Sequence, residues 1–305
     1  MTGGHKHAHT RRKNLGRKIQ GSQGGGSKVP AHHARGPRTR TADGSPGHNF
    51  THQRPERMTP ESNPNSGRTP AILLEDIMNI CYSLTRNLYP YLLGSIRSLL
   101  DHNPDVMIYV MAEDDELPFE IPCPHRILNM SGQTYFPASN PNMKSQFSYM
   151  AMLRLATADL IPEDKVIQLD FDTIVCDSLA PIWEMDLTGK WLAWCPEHNG
   201  SFKPFGPKYY NFGVAVLNLA QLRADNAPAF MIRTLNVVQV PFLDQDIMNI
   251  FAVPDKCVDL PVRFNESFCC GYTANPAIVH FAGFPDWMTN RAIYRSEYLA
   301  KYADD

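Results

Sequence analysis

The chain has 305 residues, with 29 Lys+Arg against 31 Asp+Glu and seven cysteines. It is therefore neither uniformly basic, as a dedicated nucleic-acid binder would be, nor a disulfide scaffold. Charge is unevenly laid down: residues 1–70 hold 13 basic and 3 acidic residues, leaving 16 basic and 28 acidic for the remainder.

Residues 1–70 are rich in Gly, Pro, Ser and His and too polar to build a core, so they read as a disordered basic tail. Its clusters (Arg11-Arg12-Lys13, Arg17-Lys18, Arg35 to Arg40) would suit contact with nucleic acid or an anionic surface. A solvated tail with no partner is the preferred reading. His5, His7, His9, His32 and His33 lack the spacing of a structural metal site. No apolar run approaches the ~18 residues of a membrane span, no secretory signal is evident, and scattered cysteines without a C-x-x-C pair suit a cytoplasmic protein.

A domain is expected over 71–305. Ile77 to Ser83 reads as a strand, followed by a turn at Thr85-Arg86-Asn87. A helix is predicted from Tyr91 to Leu100, with Leu92, Leu93, Ile96, Leu99 and Leu100 on one face. Val106 to Met111 is the next strand. Phe147 to Ala158 reads as a helix leading into the strand Val166 to Leu169. Trp191 to Cys195 and Val214 to Leu217 read as strands, Asp244 to Phe251 as a helix, and Ala277 to Phe281 as a last short strand. Strand–helix alternation predicts an α/β fold with a mostly parallel sheet, whose ligands sit at the carboxyl ends of strands.

Several segments gather chemistry at those ends. The run from Val166 to Val175 carries Asp170 and Asp172, which strand alternation would place on one side. Two adjacent acids there call for a cation, and hard oxygen ligands suit Mg2+ or Mn2+ carrying a phosphorylated ligand. The plainer alternative has one acid capping the strand and the other facing water. Thr85, Asn87 and Tyr89 offer a hydroxyl, an amide and a ring for a base, or an ordinary turn with an Asx cap. Lys144 and Arg154 could neutralise a diphosphate. In Tyr209-Tyr210-Asn211-Phe212-Gly213-Val214, the glycine would admit a sugar close to the backbone or mark a bulge. Asp244-Gln245-Asp246 opens a helix, where the helix dipole and capping account for one of the two acids. His280 could complete an Asp/Asp/His metal site.

Taken in this order over residues 77–288, these motifs resemble glycosyltransferase family 8, the retaining enzymes that include glycogenin and bacterial lipopolysaccharide galactosyltransferases. The resemblance rests on Leu169-Asp170-Phe171-Asp172-Thr173, Asn211-Phe212-Gly213-Val214 with Leu217-Asn218-Leu219, Asp244-Gln245-Asp246 and His280-Phe281-Ala282-Gly283. It implies a GT-A fold, the Rossmann-like nucleotide-diphospho-sugar transferase architecture with a mixed, mostly parallel sheet. It also implies a UDP-hexose donor and Mn2+ (or Mg2+) as cofactor. Carried over by position, Asp170, Asp172 and His280 would bind metal, and Thr85, Asn87, Tyr89 and Phe171 the nucleotide. Arg154, Lys144, Asn211, Gly213 and Gly283 would meet the donor sugar and phosphates, with Asp244 and Gln245 as the catalytic pair. The acceptor would be a saccharide, a lipid-linked saccharide or a protein. Where the family carries a lysine that grips the diphosphate, this chain has Asp286, with Lys144, Lys208 and Arg291 as possible substitutes. That departure leaves a UDP-sugar-binding module with little or no turnover as the alternative. A haloacid-dehalogenase-like phosphatase is a weaker rival, because its motif continues Asp-x-Asp-Gly-Thr and lies on the first strand.

Overall fold

A computed structural model describes residues 77–198, 208–253, 255–283 and 295–302. The basic segment 1–70, Asp286 and Arg291 lie outside them. Seven strands form the main sheet: β1 (Met78–Ser83), β2 (Val106–Ala112), β3 (His125–Asn129), β4 (Lys165–Leu169), β6 (Leu192–Pro196), β7 (Tyr210–Asn218) and β8 (Cys257–Asp259). Their order is β3-β2-β1-β4-β7-β6-β8. The first four run parallel. β7 is antiparallel to both neighbours, and β8 is parallel to β6. The sheet is thus mixed and mostly parallel, as expected. A second, two-stranded antiparallel sheet pairs β5 (Thr173–Val175) with β9 (Ile278–His280).

The central strands are buried on both faces, which explains their near-continuous apolar runs. Along β4, Val166 enters one core and Ile167 the other. One face is covered by α1 (Tyr89–His102), whose Leu92, Ile96 and Leu99 pack on Ile80, Tyr82, Val110 and Leu169. The opposite face is covered by α2 (Tyr149–Leu153), α3 (Thr157–Leu160), α5 (Leu219–Ala224), α6 (Ala227–Leu235) and α7 (Leu243–Ala252), around Trp194, Phe212 and Leu217. Short α4 (Ala180–Trp183) follows β5, and α8 (Ser296–Tyr302) sets Leu299 and Tyr302 against Ile174, Val279 and Phe281. Among the described residues no helix is long and apolar enough to cross a membrane.

Two expectations change. The helix read over 147–158 is broken: Arg154–Ala156 form a 3-10 turn between α2 and α3. Thr157 Oγ1 donates to the Arg154 carbonyl at 2.7 Å, a local bond that competes with regular helix. The strand read over Val166 to Leu169 is β4, but it does not extend through Asp172 as strand alternation would require. Asp170 N still donates to Gly213 O at 2.7 Å, but the chain then turns at Phe171–Asp172. Thr173 Oγ1 closes that turn on the Asp170 carbonyl at 2.7 Å.

Candidate active site

This turn, not strand alternation, brings the two aspartates together. Because Thr173 pairs with His280 across β5 and β9, the imidazole arrives beside both. His280 Nε2 lies 3.7 Å from Asp170 Oδ2 and 3.4 Å from Asp172 Oδ1. One potential ligand atom from each residue lies within 4.8 Å of the others. Asp172 Oδ1 is buried and has no well-formed hydrogen bond, its neighbour His280 Nε2 standing off at 3.4 Å, which is costly for a carboxylate oxygen unless a cation meets it. Two hard oxygens and one imidazole nitrogen at this spacing fit a divalent ion.

Arg154 locks the adjoining wall. Its Nη1 binds Asp170 Oδ1 and its Nε binds Asp244 Oδ2 at 2.6 Å, while the guanidinium lies 5.0 Å from the Phe212 ring centre. The side chain is 10% exposed and that of Asp244 only 1%. One guanidinium therefore faces three carboxylates, so the site keeps a negative excess that a divalent cation would offset. The titrations follow from this crowding. Burial raises Asp244 to about 6 against the pull of Arg154. Burial also raises Asp170, again opposed by Arg154. For His280 burial disfavours the charged ring, but Asp172 and Asp170 outweigh it and hold its pKa above the ordinary histidine value.

Beyond the triad lies a polar cluster built around Gln245. Its Oε1 accepts from Phe212 N at 2.9 Å, and its Nε2 donates to Tyr209 Oη at 3.0 Å and Glu197 Oε1 at 3.3 Å. Tyr209 donates onward to Asp246 at 2.6 Å, and Asp246 also accepts from Phe242 N at 2.8 Å. Asp246 is therefore the acid that ties down the start of α7, leaving Asp244 for the site. Leu243, just before it, has φ 50°, a left-handed conformation that costs a branched side chain about 1–3 kcal/mol. Asn211 donates to Glu197 Oε1 at 3.4 Å and its Oδ1 accepts from Gly213 N at 3.0 Å.

Residues 79–287 match the profile of glycosyl transferase family 8. The chain belongs to that family. Among curated proteins it is 30% identical to glycosyltransferase GlyA of Streptococcus pneumoniae over 149 residues, 45% of this chain and 21% of that protein. A putative glycosyltransferase of Haemophilus influenzae is 26% identical over 197 residues, 56% of this chain and 58% of that protein. The chain thus spans about a fifth of the length of GlyA and a little over half of the second relative. Among solved structures, the galactosyltransferase LgtC in complex with donor and acceptor sugar analogues superposes with TM-score 0.57 at 21% identity, covering 74% of this chain and 95% of LgtC. GlyE of Streptococcus pneumoniae gives TM-score 0.56 at 20% identity, covering 74% of this chain and 60% of GlyE. These likenesses establish the GT-A fold.

The structure distributes the family-8 motif residues unevenly. Asp170, Asp172, His280, Arg154, Asp244, Gln245, Asn211 and Gly213 converge. Gly213 does so for a reason different from the one expected: a Cβ there would lie 2.1 Å from His280 Cε1, so the space beside it holds the imidazole rather than a sugar. Thr85 Oγ1 bonds the neighbouring Asn87 Oδ1 at 2.6 Å. The Tyr89 ring is buried, with its hydroxyl donating to Asp114 at 3.1 Å and accepting from Glu113 N at 2.9 Å. It therefore presents no open stacking face. Phe171 is half-buried, its ring 6.4 Å from that of Tyr91. Gly283, exposed with φ 80°, ends the segment after β9 in a left-handed turn. Lys144 is exposed on the turn before α2 and, among the described residues, shares no ion pair with the triad. Lys208 is paired with Asp259 at 2.9 Å. Glu197 and Asn265 escaped the sequence reading, and Tyr209 was quoted there without a role of its own. Glu197 at least carried a signal, a carboxylate just past the carboxyl end of an apolar strand.

Proposed function

We propose that this domain is a retaining glycosyltransferase that moves a hexose from a UDP-sugar to an acceptor, with Asp170, Asp172 and His280 holding Mn2+ (or Mg2+). The observation that carries this reading is the buried Asp172 Oδ1, met only by His280 Nε2 at 3.4 Å, with Asp170 beside them. A divalent ion held there supplies Lewis acidity toward a departing diphosphate. Arg154 fixes Asp170 and Asp244 in place, so the carboxylates are oriented before the donor arrives. Asp244 is engaged with Arg154 and Asp246 with Tyr209, which disfavours either as an attacking nucleophile. Same-face attack by the acceptor hydroxyl fits better, with Gln245 and nearby backbone groups stabilising an oxocarbenium-like sugar. LgtC was solved with donor and acceptor sugar analogues, so a saccharide is the first acceptor class to test. All seven cysteines are free, which supports placement in the reducing cytoplasm.

The test is UDP release from UDP-glucose, UDP-galactose and UDP-N-acetylglucosamine, with and without Mn2+ and saccharide acceptors. One donor should turn over in a metal-dependent way. Asp172→Asn should lower turnover about 100-fold, the rate equivalent of roughly 3 kcal/mol of lost charge stabilisation. Unchanged turnover in Asp172→Asn would sink the metal assignment. Tight UDP binding with no release from any donor would favour a sugar-nucleotide-binding module instead.

A further inference from the structure

The imidazole of His280 has two nitrogens, and only one can face the aspartates as a ligand. The hydrogen-bond chain behind the ring decides which. Gly213 N is a backbone donor and nothing else, and it points at Asn211 Oδ1 at 3.0 Å. That atom must therefore be the amide oxygen, because a flipped Asn211 would set donor against donor. Asn265 approaches the same oxygen at 3.0 Å, so the atom it offers is its Nδ2 donor. Its Oδ1 is then the atom turned to His280 Nδ1 at 2.8 Å. A carbonyl oxygen only accepts, so Nδ1 carries the proton. In the neutral ring Nε2 is left bare, aimed at Asp170 and Asp172. Asn265 is fully buried and Asn211 and His280 nearly so, so water is poorly placed to scramble this order.

We propose that Asn265 is a positioning residue for the metal centre. It selects the Nδ1–H tautomer of His280, presents Nε2 as the ligand atom, and joins that ligand through Asn211 and Glu197 to Gln245. Nε2, Asp170 Oδ2 and Asp172 Oδ1 then form three acceptors facing one another, an arrangement that a cation between them satisfies. This inference rests on the metal reading above. A hydrogen-bond partner that orients a ligating imidazole commonly changes metal affinity by about 10- to 100-fold.

Two measurements on the full chain separate the claims. In long-range 1H–15N spectra of the metal-free protein, at a pH where the ring is neutral, His280 should show a protonated Nδ1 and a bare Nε2. An Nε2–H tautomer overturns the proposal without any reference to metal. Calorimetric titration with Mn2+ alone should then show affinity falling about 10- to 100-fold in Asn265→Leu. Asn265→Asp, which keeps an acceptor toward Nδ1, should restore most of it. Wild-type affinity in a folded Asn265→Leu protein overturns the positioning role. A wild-type chain that binds no Mn2+ overturns the proposed function instead, and the tautomer spectrum still decides the case for Asn265.

Discussion

At Gly213 a methyl group would sit 2.1 Å from His280 Cε1, closer than any non-bonded carbon pair tolerates. Gly213→Ala must therefore push the imidazole off the aspartates or shift β7. We expect a loss of about 1–3 kcal/mol in urea unfolding, the usual range for overpacking, together with weakened Mn2+ binding. Equal stability and equal affinity would show that the ring is not seated as described. The sequence reading gave this glycine to a sugar or a bulge and could not foresee the imidazole, because His280 lies 67 positions downstream and is brought in only by the β5–β9 pairing. Asn265 was invisible for the same reason. Its partners Asn211 and His280 are 54 and 15 residues away, and no local pattern marks an asparagine in a loop as anything but a turn former. The Asp170/Asp172 pair was legible because two acids closing an apolar strand conflict with burial within a few residues of chain.

Among the elements, the most consequential break is the 3-10 turn that carries Arg154. A continuous helix would advance each residue by about 100° and 1.5 Å. The tighter turn instead lets the guanidinium reach both Asp170 and Asp244. Arg154→Met would leave those carboxylates without their cation. The expected cost at neutral pH is about 3–5 kcal/mol, and it should shrink near pH 5, below the value of about 6 at which the buried Asp244 carboxyl takes up its proton. Urea unfolding at both pH values measures it, and an equal loss at the two would contradict the pairing. The apolar residues Met150, Leu153 and Leu155 led to a helix being read here. They could not reveal the Thr157 hydroxyl bond that interrupts it. β3 was missed for a simpler reason. It is an edge strand with half-buried and exposed residues, and it lacks the apolar run that revealed β1, β2 and β4.

For the molecule as a whole, the strand order places the carboxyl end of β4 beside β7, where the parallel half of the sheet meets its antiparallel neighbour. The site gathers at this junction, and its charge governs stability. Asp170, Asp244 and His280 all bind protons more tightly when folded than their ordinary values. The folded state thus holds more protons than the unfolded one, and stability falls as pH rises. For Asp244 the window runs from the ordinary carboxylate value of 3.8 to about 6. For His280 the stabilisation is complete below about 6.5 and is lost as pH climbs through its raised folded value. Metal binding displaces those protons, so Mn2+ should stabilise the chain more at alkaline than at acid pH, as read by thermal unfolding across pH with and without Mn2+. A pH-independent effect of Mn2+ would contradict this linkage. The most direct test of the account is anomalous diffraction from crystals of the protein soaked with Mn2+ and UDP. The predicted result is one manganese peak about 2.0–2.3 Å from Asp170, Asp172 and His280 Nε2. A peak bound elsewhere, or none at that triad with UDP in place, would contradict it.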